Sequence, residues 1–248
     1  MTYDGGKNAT FRHIVNQMPP HDVYLELFLG SGAVLRNKRP ARQDIGVELD
    51  PAQCEAVRRA LPSALIMQAD AMEFVREFKF PAGAVGLIYA DPPYLLSTRS
   101  SQRRLYAYEF CENVEHIELL TALRQVPALV MVSGYRSELY DHHLQGWRRV
   151  EWQAVKRNGE MATECLWCNF PAPLELHDWR YLGSNKDERQ RMKRKKESFA
   201  RKLRAMSPLE RGAVLSAIRE MQMLPAIRLG PGSSKQLRQM TPPRCSAV

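Results

Sequence analysis

The chain has 248 residues, with 36 lysines and arginines against 27 aspartates and glutamates, for a net charge of +9. No apolar run approaches the roughly 18–20 residues that span a bilayer, and residues 1–7 hold no apolar signal-peptide core, so neither a membrane span nor a secretory leader is expected. Five scattered cysteines, an odd number, suit a reducing cytosol.

In chain order, residues 23–28 read as a strand that runs at once into Leu29-Gly30-Ser31-Gly32. Residues 45–49 make a second strand, after which Asp50 and Pro51 supply an N-cap and a first-turn proline for a helix through Arg58. Residues 65–68 form a third strand, and Asp70 caps a helix over 71–78. Residues 85–89 are a fourth strand, 116–124 a helix, 128–132 a fifth strand and 136–144 a short helix. Residues 147–155 and 162–170 are two strands joined by Lys156-Arg157-Asn158-Gly159-Glu160, a hairpin with an Asn-Gly turn. Strand–helix alternation predicts an α/β fold with a doubly wound, mostly parallel seven-stranded sheet, to which the hairpin adds an antiparallel edge strand.

Charge divides the chain. Residues 180–248 hold 17 basic and 5 acidic residues, whereas residues 1–179 have a net charge of −3. This predicts a body over 1–179, a basic helical extension over 180–228 with helices at 184–206 and 208–223, and a Gly-, Ser- and Pro-rich disordered tail over 229–248. A basic extension on a near-neutral body points to a polyanionic partner, most simply nucleic acid.

In a wound sheet, ligands bind beyond the carboxyl ends of the strands, where Gly30, Gly32, Glu48, Asp70 and Asp91 all fall. The fourth strand ends in Asp91-Pro92-Pro93-Tyr94. Neither proline has an N–H to continue a ladder, so the cluster offers a carboxylate, a prolyl carbonyl and an aromatic ring. That set grips a planar group carrying an amine. Glu48 is placed to take ribose hydroxyls, and Asp70 an adenine amine besides its cap role. Acidic surroundings without a P-loop lysine disfavour a phosphate ligand. They fit a positively charged nucleoside such as S-adenosylmethionine.

Cys165 and Cys168 lie three apart on an expected strand, so they point to opposite faces and a shared metal is not expected. His13, His21, His116, His142, His143 and His177 show no ligand spacing and read as surface or ordinary polar residues; no metal is called for.

The Asp91-Pro92-Pro93-Tyr94 motif, the Phe28-Leu29-Gly30-Ser31-Gly32 turn and the early Gly5-Gly6-Lys7, in this order, resemble the Dam-type adenine-specific DNA methyltransferases. Ser133-Gly134-Tyr135 and Thr163-Glu164-Cys165-Leu166-Trp167-Cys168-Asn169-Phe170 are similar to compact phage and bacterial members. The likeness covers roughly residues 3–171. It implies a Rossmann-like methyltransferase fold and transfer of a methyl group from S-adenosylmethionine to adenine in double-stranded DNA. By position, Tyr3, Lys7, Phe28, Gly30, Gly32, Glu48 and Asp70 would bind the cofactor, with Asp91 bordering it. Asp91, Pro92, Pro93 and Tyr94 would hold the target base, which a duplex must flip out.

The chain departs from the larger family members, which insert a recognition domain between the glycine turn and the catalytic motif. Only 58 residues separate Gly32 from Asp91 here. DNA contacts would then come from the loop carrying Arg99, Arg103, Arg104 and Tyr106, and from the hairpin tip Lys156, Arg157 and Asn158. The catalytic motif is shared with amine methylases acting on RNA or protein. Cytosine-amine methylation and a non-catalytic nucleic-acid-binding protein with a methylase-like body are further alternatives.

Overall fold

A computed structural model describes residues 6–95, 98, 110, 112–155 and 159–223. Seven strands, β1 (Val23–Leu27), β2 (Gln43–Glu48), β3 (Leu65–Gln68), β4 (Gly86–Ala90), β5 (Leu129–Tyr135), β6 (Arg148–Val155) and β7 (Met161–Cys168), form one sheet in the order β3-β2-β1-β4-β5-β7-β6. The first five strands are parallel, and β7 runs antiparallel to both β5 and β6. The fold is thus the doubly wound, mostly parallel seven-stranded α/β sheet that the strand–helix alternation predicts. The hairpin supplies the two remaining strands of the seven: β7 inserts beside β5, and β6 takes the edge.

Burial explains why this sheet forms. All five residues of β1 and all five of β4 are buried, as a strand covered by helices on both faces requires. One apolar cluster joins Leu25, Leu27, Val47, Ile88, Val130 and Val132 to Leu119, Leu120 and Leu123 of α5 (Asn113–Gln125). The other joins Leu87, Met131 and Leu166 to α1 (Phe11–Val15), α2 (Ala33–Asn37) and α3 (Pro51–Ala60). Cys165 belongs to the first cluster and Cys168 to the second, on opposite faces of β7 as their spacing predicts.

Several boundaries move. Strand β5 runs on to Tyr135 instead of stopping at Val132, because Ser133, Gly134 and Tyr135 pair with Leu166, Cys165 and Glu164 of β7. Helix α5 starts at Asn113, where the Glu115 carboxylate accepts the Glu112 N–H at 2.9 Å. The Asp70 cap of α4 (Ala71–Glu77) is present: its Oδ1 accepts from Met72 N and Glu73 N at 2.8 and 3.0 Å. Ser137 caps α6 (Glu138–His143).

Of the histidines expected to be surface or ordinary polar residues, two are buried and hydrogen-bonded in the core. His116 is fully buried on α5, with Nε2 3.2 Å from the Phe110 carbonyl and Nδ1 2.8 Å from the Tyr140 hydroxyl. The carbonyl can only accept, so Nε2 carries the proton and Nδ1 accepts from Tyr140. His21 is buried where the chain enters β1, and its Nδ1 donates to the Pro19 carbonyl at 2.8 Å.

A strap over residues 171–183 crosses the amino edge of the sheet. The His177 ring stacks on His21 with centroids 3.9 Å apart, and its backbone N–H donates to Met18. Buried Asp178 accepts from Arg39 N and Arg180 N, both at 2.9 Å. A cleft of 310 Å³ opens there between His21, Arg39, His177 and Trp179.

The described residues from Arg191 onward group as a second compact unit. Helix α7 (Lys186–Ala205) buries none of its residues and carries ten basic against three acidic side chains. Helix α8 (Pro208–Met223) follows Ser207, whose Oγ accepts the Glu210 N–H at 3.4 Å. Residues 229–248 lie outside the described residues.

Candidate functional site

The carboxyl edge begins with the turn after β1. Phe28, Gly30 and Gly32 have φ of 57°, 50° and 63°. Glycine adopts the left-handed region freely, but a bulky phenylalanine there is strained by about 1–3 kcal/mol, a pattern found at binding sites. Its ring is held 5.0 Å from that of Phe110. At Gly32 the restriction is double: a Cβ would lie 3.2 Å from Val57 Cγ1.

Glu48, at the end of β2, braces this turn. Its Oε2 accepts the Gly30 N–H at 2.7 Å, and Oε1 accepts from Leu49 N and Asp50 N at 2.9 and 3.0 Å. A carboxylate has about four acceptor sites, so one remains on Oε2. Glu48 therefore has room for a single hydroxyl of a ribose rather than two. Asp70 spends Oδ1 on the helix cap, which leaves Oδ2 for a ligand.

Asp91 follows β4, with its N–H 3.4 Å from the Leu27 carbonyl. Its side chain is 15 % exposed and Lys7 is 5 % exposed; Lys7 Nζ lies 2.8 Å from Asp91 Oδ1. The contact is a close ion pair whose angles fall outside hydrogen-bond geometry. Lys7 Nζ also sits over the Tyr94 ring, 5.0 Å from its centroid. Burial works against the Lys7 charge, but Asp91, with Tyr89 and Glu164 in support, raises its pKa above the ordinary value. Burial raises the Asp91 pKa as well, with Lys7 offsetting part of the rise and Glu164 adding to it.

Four further side chains complete this corner and were not singled out from the sequence as site residues. The Tyr135 ring meets Tyr94 edge-on, with centroids 4.5 Å apart at 65°. Glu164 stands opposite Tyr135 in the β5–β7 register, and its Oε2 is buried with no hydrogen-bond partner among the described residues. Beneath the pair, the Tyr89 hydroxyl and Ser133 Oγ are 2.9 Å apart and buried. The signal for Glu164 was a lone carboxylate ahead of the apolar run Leu166-Trp167. On β1, Glu26 is buried beside Tyr24, whose hydroxyl donates to it at 2.8 Å. Burial raises the Glu26 pKa to about 8, with Tyr24 and Lys38 pulling it back and Asp91 adding to the rise.

The structure thus gathers Lys7, Asp91 and Tyr94 into one cluster, with Pro92 and Pro93 in the same segment, and sets Phe28, Gly30, Gly32, Glu48 and Asp70 along the same sheet edge. Tyr3 lies outside the described residues. So do Arg99, Arg103, Arg104 and Tyr106 of the loop, and Lys156, Arg157 and Asn158 of the hairpin tip. No group of three or more metal-binding side chains occurs among the described residues, and no described helix is long and apolar enough to cross a membrane.

No protein-family model matches the chain, and no curated protein matches it in sequence. Among solved structures it is similar to a dimethyladenosine transferase from Plasmodium falciparum, at 11 % identity and TM-score 0.43 over 64 % of this chain and 59 % of that one. The 23S rRNA methyltransferase ErmE gives 15 % identity and TM-score 0.41 over 73 % and 72 % of the two chains. A precorrin 8W decarboxylase of Methanobacterium thermoautotrophicum gives 12 % and 0.41 over 66 % and 90 %. Likeness at this level concerns the fold alone, which the strand order already defines.

Proposed function

We propose that the protein is an S-adenosylmethionine-dependent methyltransferase acting on the exocyclic amine of adenine in double-stranded DNA. The observation that carries this reading is the ion pair of Lys7 with Asp91 over the Tyr94 ring: an amino group already rests where a substrate amine would. A pocket that holds a nitrogen cation between a carboxylate and an aromatic face suits an amine that gains positive charge as it reacts.

The residues along the carboxyl edge fit the cofactor. The left-handed turn at Phe28, Gly30 and Gly32 brings backbone close to a ligand, Glu48 retains one acceptor site for a hydroxyl, and Asp70 Oδ2 can accept from an adenine amine. When bound, S-adenosylmethionine supplies an electrophilic methyl group.

The chain's own residues prepare the nucleophile. The adenine amine is weak because its lone pair is delocalised into the ring. The Asp91 carboxylate and the Pro92 carbonyl each accept one of its hydrogens, which draws the lone pair out of the ring system. Asp91 stabilises the positive charge that grows on the nitrogen and then receives or passes on the released proton. Tyr94 stacks on the base, worth about 1–3 kcal/mol, which offsets the cost of flipping it from the duplex. Helix α7, basic and wholly unburied, contributes sequence-independent phosphate contacts.

The test offers the purified protein a labelled methyl donor with duplex DNA, RNA and protein in separate reactions. Label on the adenine amine of DNA is expected. Label confined to RNA, to protein or to cytosine overturns the substrate, and no label in any of them overturns the activity.

A further inference from the structure

We propose that the free end of the β6–β7 hairpin reads DNA sequence: it is a two-stranded ribbon for the major groove, in which Gln153 recognises an adenine and Val155 with Met161 meets thymine methyl groups. The inference deepens the proposed function and rests on its reading of double-stranded DNA as the substrate.

The register sets this end apart from the rest of the sheet. Strand β5 ends where Tyr135 pairs with Glu164, whereas β7 begins three residues earlier, at Met161. Among the described residues, Met161, Ala162 and Thr163 pair with β6 alone. The hairpin therefore runs roughly 10 Å past the last β5 pair, at about 3.4 Å per residue. Because β7 is antiparallel to β5, this extension leaves the carboxyl edge, the edge that holds Asp91. It starts beside the target pocket, since the Tyr135 ring touches that of Tyr94 with centroids 4.5 Å apart. A two-stranded ribbon is an element that the major groove admits.

One face of the ribbon is open. Val155 stands opposite Met161 and Gln153 opposite Thr163, and strand alternation puts all four on the same side. All four are exposed, Val155 at 69 % and Met161 at 59 %. Two large apolar side chains facing each other in the open form a patch, unlike the single scattered residues of an ordinary surface. Next to them the Gln153 amide is oriented, with Nε2 donating to Thr163 Oγ1 at 2.8 Å. One N–H and the carbonyl oxygen remain, and they match N7 and the N6 amine of an adenine in the major groove. Glu151, on the same face, is paired with Arg149 at 2.8 Å, which offsets its repulsion of phosphate. Residues 156–158 lie outside the described residues and form no part of this surface.

The rest of the chain leaves this task open. The 58 residues between Gly32 and Asp91 are taken up by strands and helices of the wound sheet. Phosphate contacts from a basic helix carry no base information. The amine grip reads the target base and nothing beside it.

Two measurements test this. The first maps methylated adenines in random-sequence duplex DNA exposed to the purified protein. An A·T pair should be preferred close to the target, and Gln153→Ala should weaken that preference about tenfold while thermal unfolding stays unchanged. Methylation without such a preference, or a preference that Gln153→Ala leaves intact, overturns the proposal. The second needs no methyl transfer. Duplexes retained by the protein are selected from a random pool, sequenced, and compared by fluorescence anisotropy with versions in which deoxyuridine replaces thymidine. Loss of the thymine methyls should weaken binding severalfold, and Val155→Ser combined with Met161→Ser should erase the difference. No enriched sequence, or no effect of the methyls, overturns the ribbon's role. Methyl-dependent duplex binding without methyl transfer overturns the proposed function alone, and methyl transfer confined to RNA overturns both.

Discussion

At the amino edge of the sheet, His21 and His177 stack and each places a ring nitrogen against a backbone carbonyl. At the carboxyl edge, Lys7 and Asp91 form a buried ion pair, Glu164 keeps an oxygen without a partner, and Phe28 sits in a left-handed conformation. The strands are the same, but the strap closes one end through hydrogen bonds to backbone groups, with the buried Lys38–Asp44 ion pair beside it and His21 Nε2 left without a partner among the described residues, while the other end adds backbone strain to its buried charge. Charges confined at a sheet edge without full pairing are costly to folding, so they are expected where chemistry requires them. On the proposed function, substitutions at the two edges should behave differently.

The largest effect is expected from Asp91→Ala, which should lower methyl transfer on the order of 10³-fold, as loss of a charge-stabilising group does, while calorimetry still detects cofactor binding. Near-normal turnover would erase the distinction between the edges. Glu26 probes how far the electrostatic stress extends. Its pKa is raised from 4.5 to about 8, so folding favours the neutral acid. That contribution is complete below pH 4.5 and is lost as pH rises through 8. Stability should therefore fall across this window with a slope approaching about 1.4 kcal/mol per pH unit. Urea unfolding of Glu26→Gln should show a flatter profile; an unaltered profile would remove Glu26 from the stressed edge.

Gly32→Ala should cost about 1–3 kcal/mol, because alanine must take φ of 63° with its Cβ against Val57; chemical denaturation measures it. The smallest effect belongs to the strap. Asp178→Ala should cost about 1 kcal/mol, since the freed donors, the N–H groups of Arg39 and Arg180 and the Arg180 guanidinium, belong to exposed residues and can turn to water. Methyl transfer at room temperature should be unaffected. A strong catalytic loss in Asp178→Ala would mean that the two edges are coupled.

Much of the fold was legible because parallel strands are continuous apolar runs, and the residues that end them, Glu48, Asp70 and Asp91, break those runs with a carboxylate. Helices α1 and α2 were not legible: five residues are too few for a helical period to stand out. Glu26 was hidden for another reason, since a polar residue inside a strand reads as a solvent-facing position until both faces prove to be covered. The burial of His116 was not legible because its partners, Phe110 and Tyr140, are six and 24 residues away. In the site, the motif residues were visible by type and order, whereas the contact of Lys7 with Asp91 spans 84 positions and depends on folding. Glu164 needed the antiparallel register of β7 on β5, which a hairpin signal alone does not specify.

The three described cysteines, Cys54, Cys165 and Cys168, are free and buried, and burial raises the pKa of each, to about 11 and about 12 for the latter two. Thiolate is the form that alkylating reagents attack, so in the folded protein these sulfurs are chemically silent. They lie in different places, with Cys54 on α3 against the Glu48 carbonyl and Cys168 at the end of β7, close before the strap segment. Their separate rates of alkylation form a set of internal clocks, each recording how often its own part of the molecule opens.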